Sequence, residues 1–117
     1  MGAILPKKIM HFCLDEKIAD LASLVTPRIN VIDGLVGSEI DEINGKPVRM
    51  DLIIAGVDIV ATDTIGAVVM GLDPRRVNYI PLAEEKGLGI GDPSRIKVLG
   101  EEVEAVKKRF KLPRMID

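Results

Sequence analysis

Tryptophan and glutamine are absent from this 117-residue chain, and cysteine, histidine and tyrosine each occur once. A lone thiol, Cys13, cannot close an intramolecular disulfide, complete a CxxC zinc site or ligate a four-cysteine iron–sulfur cluster. No cluster is therefore expected in the chain, and a reducing, cytoplasmic setting is the natural inference. Aromatics make up only 3% against 47% hydrophobic residues, so the core must be aliphatic. A net charge of −2 leaves no basic face for nucleic acid. Lys7-Lys8, Arg75-Arg76 and Lys107-Lys108-Arg109 are short, separated clusters that read as solvated surface. Only three asparagines accompany abundant Lys, Arg and Glu, a hint of thermophilic origin.

A membrane span is excluded as well. Leu52 to Leu72 is long and nearly all apolar, but Asp58 and Asp63 fall near its middle. Each would cost about 2.5–3.5 kcal/mol at a bilayer centre. The run reads instead as a buried strand followed by a buried helix. The first residues, MGAILPKKIMHF, lack the charged-then-apolar order of a signal peptide.

What is present suits one α/β domain over residues 1–117. Leu14, Ile18, Leu21, Ala22 and Val25 fall at helical spacing, and Thr26-Pro27 ends that helix. A strand follows from about Ile29 to Val36. Asn44-Gly45 predicts a small hairpin over residues 40 to 49, with Pro47 on an edge. Met50 to Val57, apolar on both faces after Asp51, predicts a strand covered on both sides. Asp58 can cap a helix through Ile59 to Met70 that stops at Gly71. Asp73-Pro74 starts another, divided by Pro81 into two short helices joined at Ile80-Pro81. Arg95 to Leu99 reads as a third core strand and Glu101 to Phe110 as a closing helix. Strands separated by helices predict a largely parallel sheet of three core strands plus the small hairpin, flanked by helices.

The runs DGLVGSE at 33–39, DLIIAGVDIVATD at 51–63, MGLDP at 70–74 and LAEEKGLGIGD at 82–92 occur in that order. With the opening MGAILPKKIMHF and the tail RIKVLGEEVEAVKKRFKLP, they resemble the bacterial and archaeal family catalogued as domain of unknown function 362. The resemblance implies the later part of that family's domain, with an upstream part expected before Met1. The chain would then be either a short member or a fragment of a longer domain. Relatives often carry fused ferredoxin-like cysteine motifs, a label this chain's single cysteine does not support. In its first loop, Ile40-Asp41-Glu42-Ile43 replaces the Gly-rich segment usual in the family, so no ligand role is carried over for that loop.

The candidate site follows from the parallel-sheet expectation, since ligands bind beyond the carboxyl ends of such strands. Asp33, Asp58 and Asp63, with Gly34 and Gly37 and the neighbouring acids Glu39 and Asp41, would gather there. Converging carboxylates suit a divalent cation such as Mg²⁺ or Ca²⁺, with Asp33, Asp58 and Asp63 as ligands, or a small polar metabolite. The plainer readings are that Asp58 caps a helix and Asp33 fixes a turn. Asp63 is harder to dismiss, because an acid on an apolar helix needs a partner. GLGIGD at 87–92 precedes a strand and reads as a helix stop, not a phosphate loop. His11 and Cys13 lack an orienting acid, and a buried structural thiol is expected. The alternative to a ligand site is a non-catalytic docking module of a redox-associated assembly. It would form a homo-oligomer, or dock the missing upstream half or a ferredoxin-like partner, through an uncovered sheet edge or face.

Overall fold

The computed structural model describes residues 13–40 and 45–111. Helix α1 spans Leu14–Leu24 and is followed by strands β1 (Asn30–Ser38) and β2 (Pro47–Gly56). Helix α2 (Ile59–Val69), a 3₁₀ turn at Pro74–Arg76 and helix α3 (Tyr79–Glu85) come next. A second 3₁₀ turn (Pro93–Arg95) and the four-residue helix α4 (Val103–Val106) complete the order.

The sheet corrects the expected fold class. In place of a largely parallel sheet of three core strands, the described residues hold one antiparallel pair, β1 with β2, running from Asn30↔Gly56 to Ser38↔Pro47. The physical reason is the length of the connection. Residues 39–46 are too few for a parallel crossover, which needs a dozen residues or more. No separate small hairpin over residues 40 to 49 accompanies the β1–β2 pair: β2 begins at Pro47 and pairs with β1 itself, and residues 41–44, with Asn44, lie outside the described residues. Between Gly34↔Leu52 and Val36↔Arg49, β2 carries one residue more than β1, and Asp51 takes a positive φ of 53° at this bulge.

Two further elements differ from expectation. Residues 95–99 form no strand: Asp92 accepts from the Ser94 N–H and hydroxyl, which sets the 3₁₀ turn, and Val98 and Leu99 remain exposed. The closing helix stops at Val106, and the chain then turns extended at Lys107. There Lys108 N–H donates to the Val69 carbonyl at 2.8 Å and Phe110 N–H to Met70 at 2.9 Å. Those carbonyls end α2 and would otherwise lack partners. Burial of Phe110, at 6% exposure, accompanies the switch.

The caps follow the sequence closely. Asp58 Oδ1 accepts from Val60 and Ala61 N–H, both at 2.9 Å, and Gly71 leaves α2 with a φ of 77°. The break before α3 lies at Val77-Asn78 instead of Ile80-Pro81, because Pro81 falls within the first turn of α3, where its missing N–H costs nothing. Gly87, at a φ of 75°, ends α3. The core joins Ala19, Val60, Ala67, Ile80 and Ala83 from α1, α2 and α3. The inner face of the sheet, with Ile32, Leu52 and Ile54, looks toward α2. Cys13 is exposed at the start of α1, not buried as expected, because it precedes the first helical turn that meets the core. His11 and Asp41 lie outside the described residues.

Candidate functional site

Antiparallel pairing places the carboxyl ends of β1 and β2 at opposite ends of the sheet. Asp33 is therefore not at a strand end. It lies within β1 opposite Ile53, exposed on the outer face, with its Oδ1 accepting from Leu35 N–H at 3.1 Å. This is the local turn-like bond open to an aspartate.

Asp58 does follow the carboxyl end of β2, but both its oxygens are engaged. Oδ1 caps α2, and Oδ2 accepts from Ile90 N–H at 3.0 Å, tying the 87–92 loop to the start of the helix. Gly89 makes that approach feasible, since a Cβ there would lie 1.9 Å from Asp58 Oδ1. Gly91 N–H donates to Glu84 Oε2 in the same loop, and Glu84 Oε1 also meets Arg75 at 3.2 Å. The glycine loop is thus a clasp in which carboxylates hold backbone donors.

Asp63 is different. It is half-buried on α2, and burial raises its pKa above the usual 3.8, while a hydrogen bond from the Tyr79 hydroxyl acts the other way. Tyr79 itself is pushed up to about 12, by burial first, then by the Asp63 charge and hydrogen bond, and last by Asp15. Beside this pair, a cleft of about 360 Å³ runs between the inner face of the sheet and α2. Its walls are mainly aliphatic: Ile32, Leu52 and Ile54 from the strands, with Met70 and Phe110 opposite. Gly34, Gly37 and Gly66 line it without side chains. A Cβ on Gly37 would stand 2.6 Å from the Phe110 ring, and one on Gly66 2.9 Å from Ile32.

Gly34, Gly37 and Asp63 border this cleft; Asp33 reaches its rim, but its exposed carboxylate is turned to Leu35 N–H, and Asp58 lies outside it. Asp33, Asp58 and Asp63 are not brought together, and among the described residues no three His, Cys, Asp or Glu side chains gather to hold a metal ion. Tyr79 is the residue that sequence reasoning missed. Its signal was available: an acid on an apolar helix requires a partner, and the chain's single phenol opens a nearby helix.

These features define a mixed α and β domain with a helix-backed hairpin and an apolar cleft containing one carboxyl–phenol pair. The model of the family Domain of unknown function (DUF362) matches residues 1–68, and the chain belongs to that family. The matched residues include β1, β2 and nearly all of α2, while Tyr79 and the glycine loop lie beyond them. No curated protein and no solved structure matches the chain. Among the described residues, no helix is long and apolar enough to cross a membrane.

Proposed function

We propose that this domain binds a small, largely apolar molecule in the cleft under the sheet, with Asp63 and Tyr79 as its polar recognition groups. The observation that carries this reading is a half-buried carboxyl bordering a cleft of about 360 Å³. Ligand sites are commonly apolar spaces of roughly 300–1,000 Å³ with a few placed polar groups. The carboxyl would accept from a hydroxyl or N–H of the ligand, and the aliphatic walls would cover the rest. A divalent-cation site has less support, because Asp58 is occupied by three backbone donors and Asp33 faces outward.

Tyrosine fluorescence tests the proposal cleanly, since Tyr79 is the only tyrosine and tryptophan is absent. Titration with cyclohexanol, cyclohexylamine and tert-butanol, none of which fluoresces, should give a saturable change for at least one of them that weakens at least about tenfold in Asp63→Ala, as expected for loss of a charge-assisted hydrogen bond. Parallel titrations with Mg²⁺, Mn²⁺ and Ca²⁺ should give none. An organic response that does not saturate, or that is the same in Asp63→Ala, sinks the reading. Saturable binding of a cation alone would favour the metal alternative.

A second reading, a docking module, is favoured by a separate observation. The outer face of the sheet is aliphatic, and Val31, Val36 and Ile53 are each more than 60% exposed. Aliphatic patches of this kind mark association surfaces.

A further inference from the structure

We propose that the cleft between the sheet and α2 takes a cationic ligand, an alkyl or cycloalkyl ammonium whose charged head meets Asp63 and whose hydrocarbon lies along the aliphatic walls. The inference deepens the cleft reading above and rests on it.

The charges on the walls are all of one sign. Of the side chains that line the cleft, only Asp63 and, at its rim, Asp33 carry a formal charge. Toward α1, Asp63 and Tyr79 also line a smaller space of about 40 Å³ whose other walls are entirely apolar. Asp15, held by the Asn78 amide at 3.3 Å, adds a third negative charge near enough to act on Tyr79. Among the described residues, no lysine or arginine lines either space. Lys108, whose backbone meets the end of α2, is engaged elsewhere: its ammonium donates to the Arg49 carbonyl. An anionic ligand would meet only repulsion here.

The carboxylate itself asks for a cation. A half-buried charge is costly unless it is paired, and Tyr79 brings Asp63 a hydrogen bond but no charge. That bond uses one of roughly four acceptor positions on the carboxylate. An alcohol would fill one more and leave the charge in place. An ammonium fills up to three and cancels it, through the stronger charge-assisted kind of hydrogen bond.

The rings point the same way. Tyr79 and Phe110 are the two aromatic side chains among the described residues, and both line the cleft. Aromatic faces attract cations through the ring quadrupole, most strongly where water is excluded. A chain with only 3% aromatics thus sets two rings and one carboxylate around a single space.

Three non-fluorescent cyclohexane derivatives, the amine, the alcohol and the carboxylate, test the proposal when titrated at neutral pH against the Tyr79 fluorescence. The amine is protonated there, as a lysine is. In wild type, cyclohexylamine should bind at least about tenfold tighter than cyclohexanol, and cyclohexanecarboxylate should give no saturable change. Asp63→Asn keeps the shape and an acceptor for Tyr79 but removes the charge. Its affinity for the amine should fall to that for the alcohol or below, since nothing then offsets the desolvation of the ammonium. An alcohol or carboxylate that binds wild type as tightly as the amine overturns the cationic class and leaves the cleft reading standing. A preference for the amine that persists in Asp63→Asn overturns it as well, because another charge would be responsible. If none of the three saturates, this inference and the cleft reading fall together.

Discussion

The hydroxyl of Tyr79 faces the carboxylate of Asp63 between α3 and α2, and their titrations are linked: the Asp63 anion makes Tyr79 harder to ionise, while the Tyr79 hydroxyl steadies that anion. Since Tyr79 is the only tyrosine, an absorbance titration reads it without interference. Its midpoint should lie near 12, against the ordinary 10.0. In Asp63→Asn the midpoint should fall without returning to the ordinary value, because burial is the larger cause. A wild-type midpoint at the ordinary value would contradict this geometry.

Asp63 also predicts a pH dependence of stability. Its folded pKa is raised above 3.8, so the native state holds its proton more tightly than the unfolded chain. The resulting stabilisation is complete below 3.8 and is lost as pH rises through the folded value. Asp63→Asn should therefore leave stability nearly unchanged in acid and raise the thermal midpoint by a few degrees at neutral pH. Melting curves of both proteins across that range provide the check. A variant less stable than wild type at neutral pH would mean that the ionised carboxylate has stronger partners than Tyr79.

At Asp58, a cap and a tether can be separated. Asp58→Ala removes the acceptor of Val60 and Ala61 N–H and that of Ile90 N–H. The expected loss is about 2 kcal/mol, the upper end for an N-cap, because a third donor is orphaned. Asp58→Ser retains a capping oxygen but cannot reach Ile90, so about half the loss should return. Urea denaturation measures both, and equal losses would show that the clasp dominates the cap.

Gly37 and Phe110 form a packed pair across the cleft, so enlarging one and truncating the other should both be harmful. Gly37→Ala drives a Cβ to 2.6 Å from the ring and should cost about 1–3 kcal/mol. Phe110→Ala should cost about 3 kcal/mol through lost burial and the cavity left behind. In combination the losses should fall short of their sum, since alanine at 37 no longer meets a ring. Strict additivity in chemical denaturation would argue against the contact.

Local chemistry was legible wherever one residue and its near neighbours decide the outcome. The α1 spacing, the Asp58 cap and the Gly71 and Gly87 exits all depend on short-range sterics and hydrogen bonds. Strands separated by helices predict a parallel sheet, but the 39–46 connection between β1 and β2 is too short for a crossover and permits only antiparallel pairing. The third strand and the full closing helix failed for a related reason. An extended segment becomes a strand only when another strand accepts it, and residues 107–110 found better partners in the carbonyls that end α2.

The sequence alone determined the aliphatic core, the helix caps and the singling out of Asp63 as an acid in need of a partner. Tertiary structure decided which aspartates share a surface. Antiparallel pairing turned Asp33 outward, the glycine loop engaged Asp58, and the packing of α3 brought Tyr79 to Asp63. It also decided that one aliphatic face of the sheet is left bare by the described residues. Periodicity can state that a face is apolar, but which element covers it depends on contacts between residues far apart in the chain.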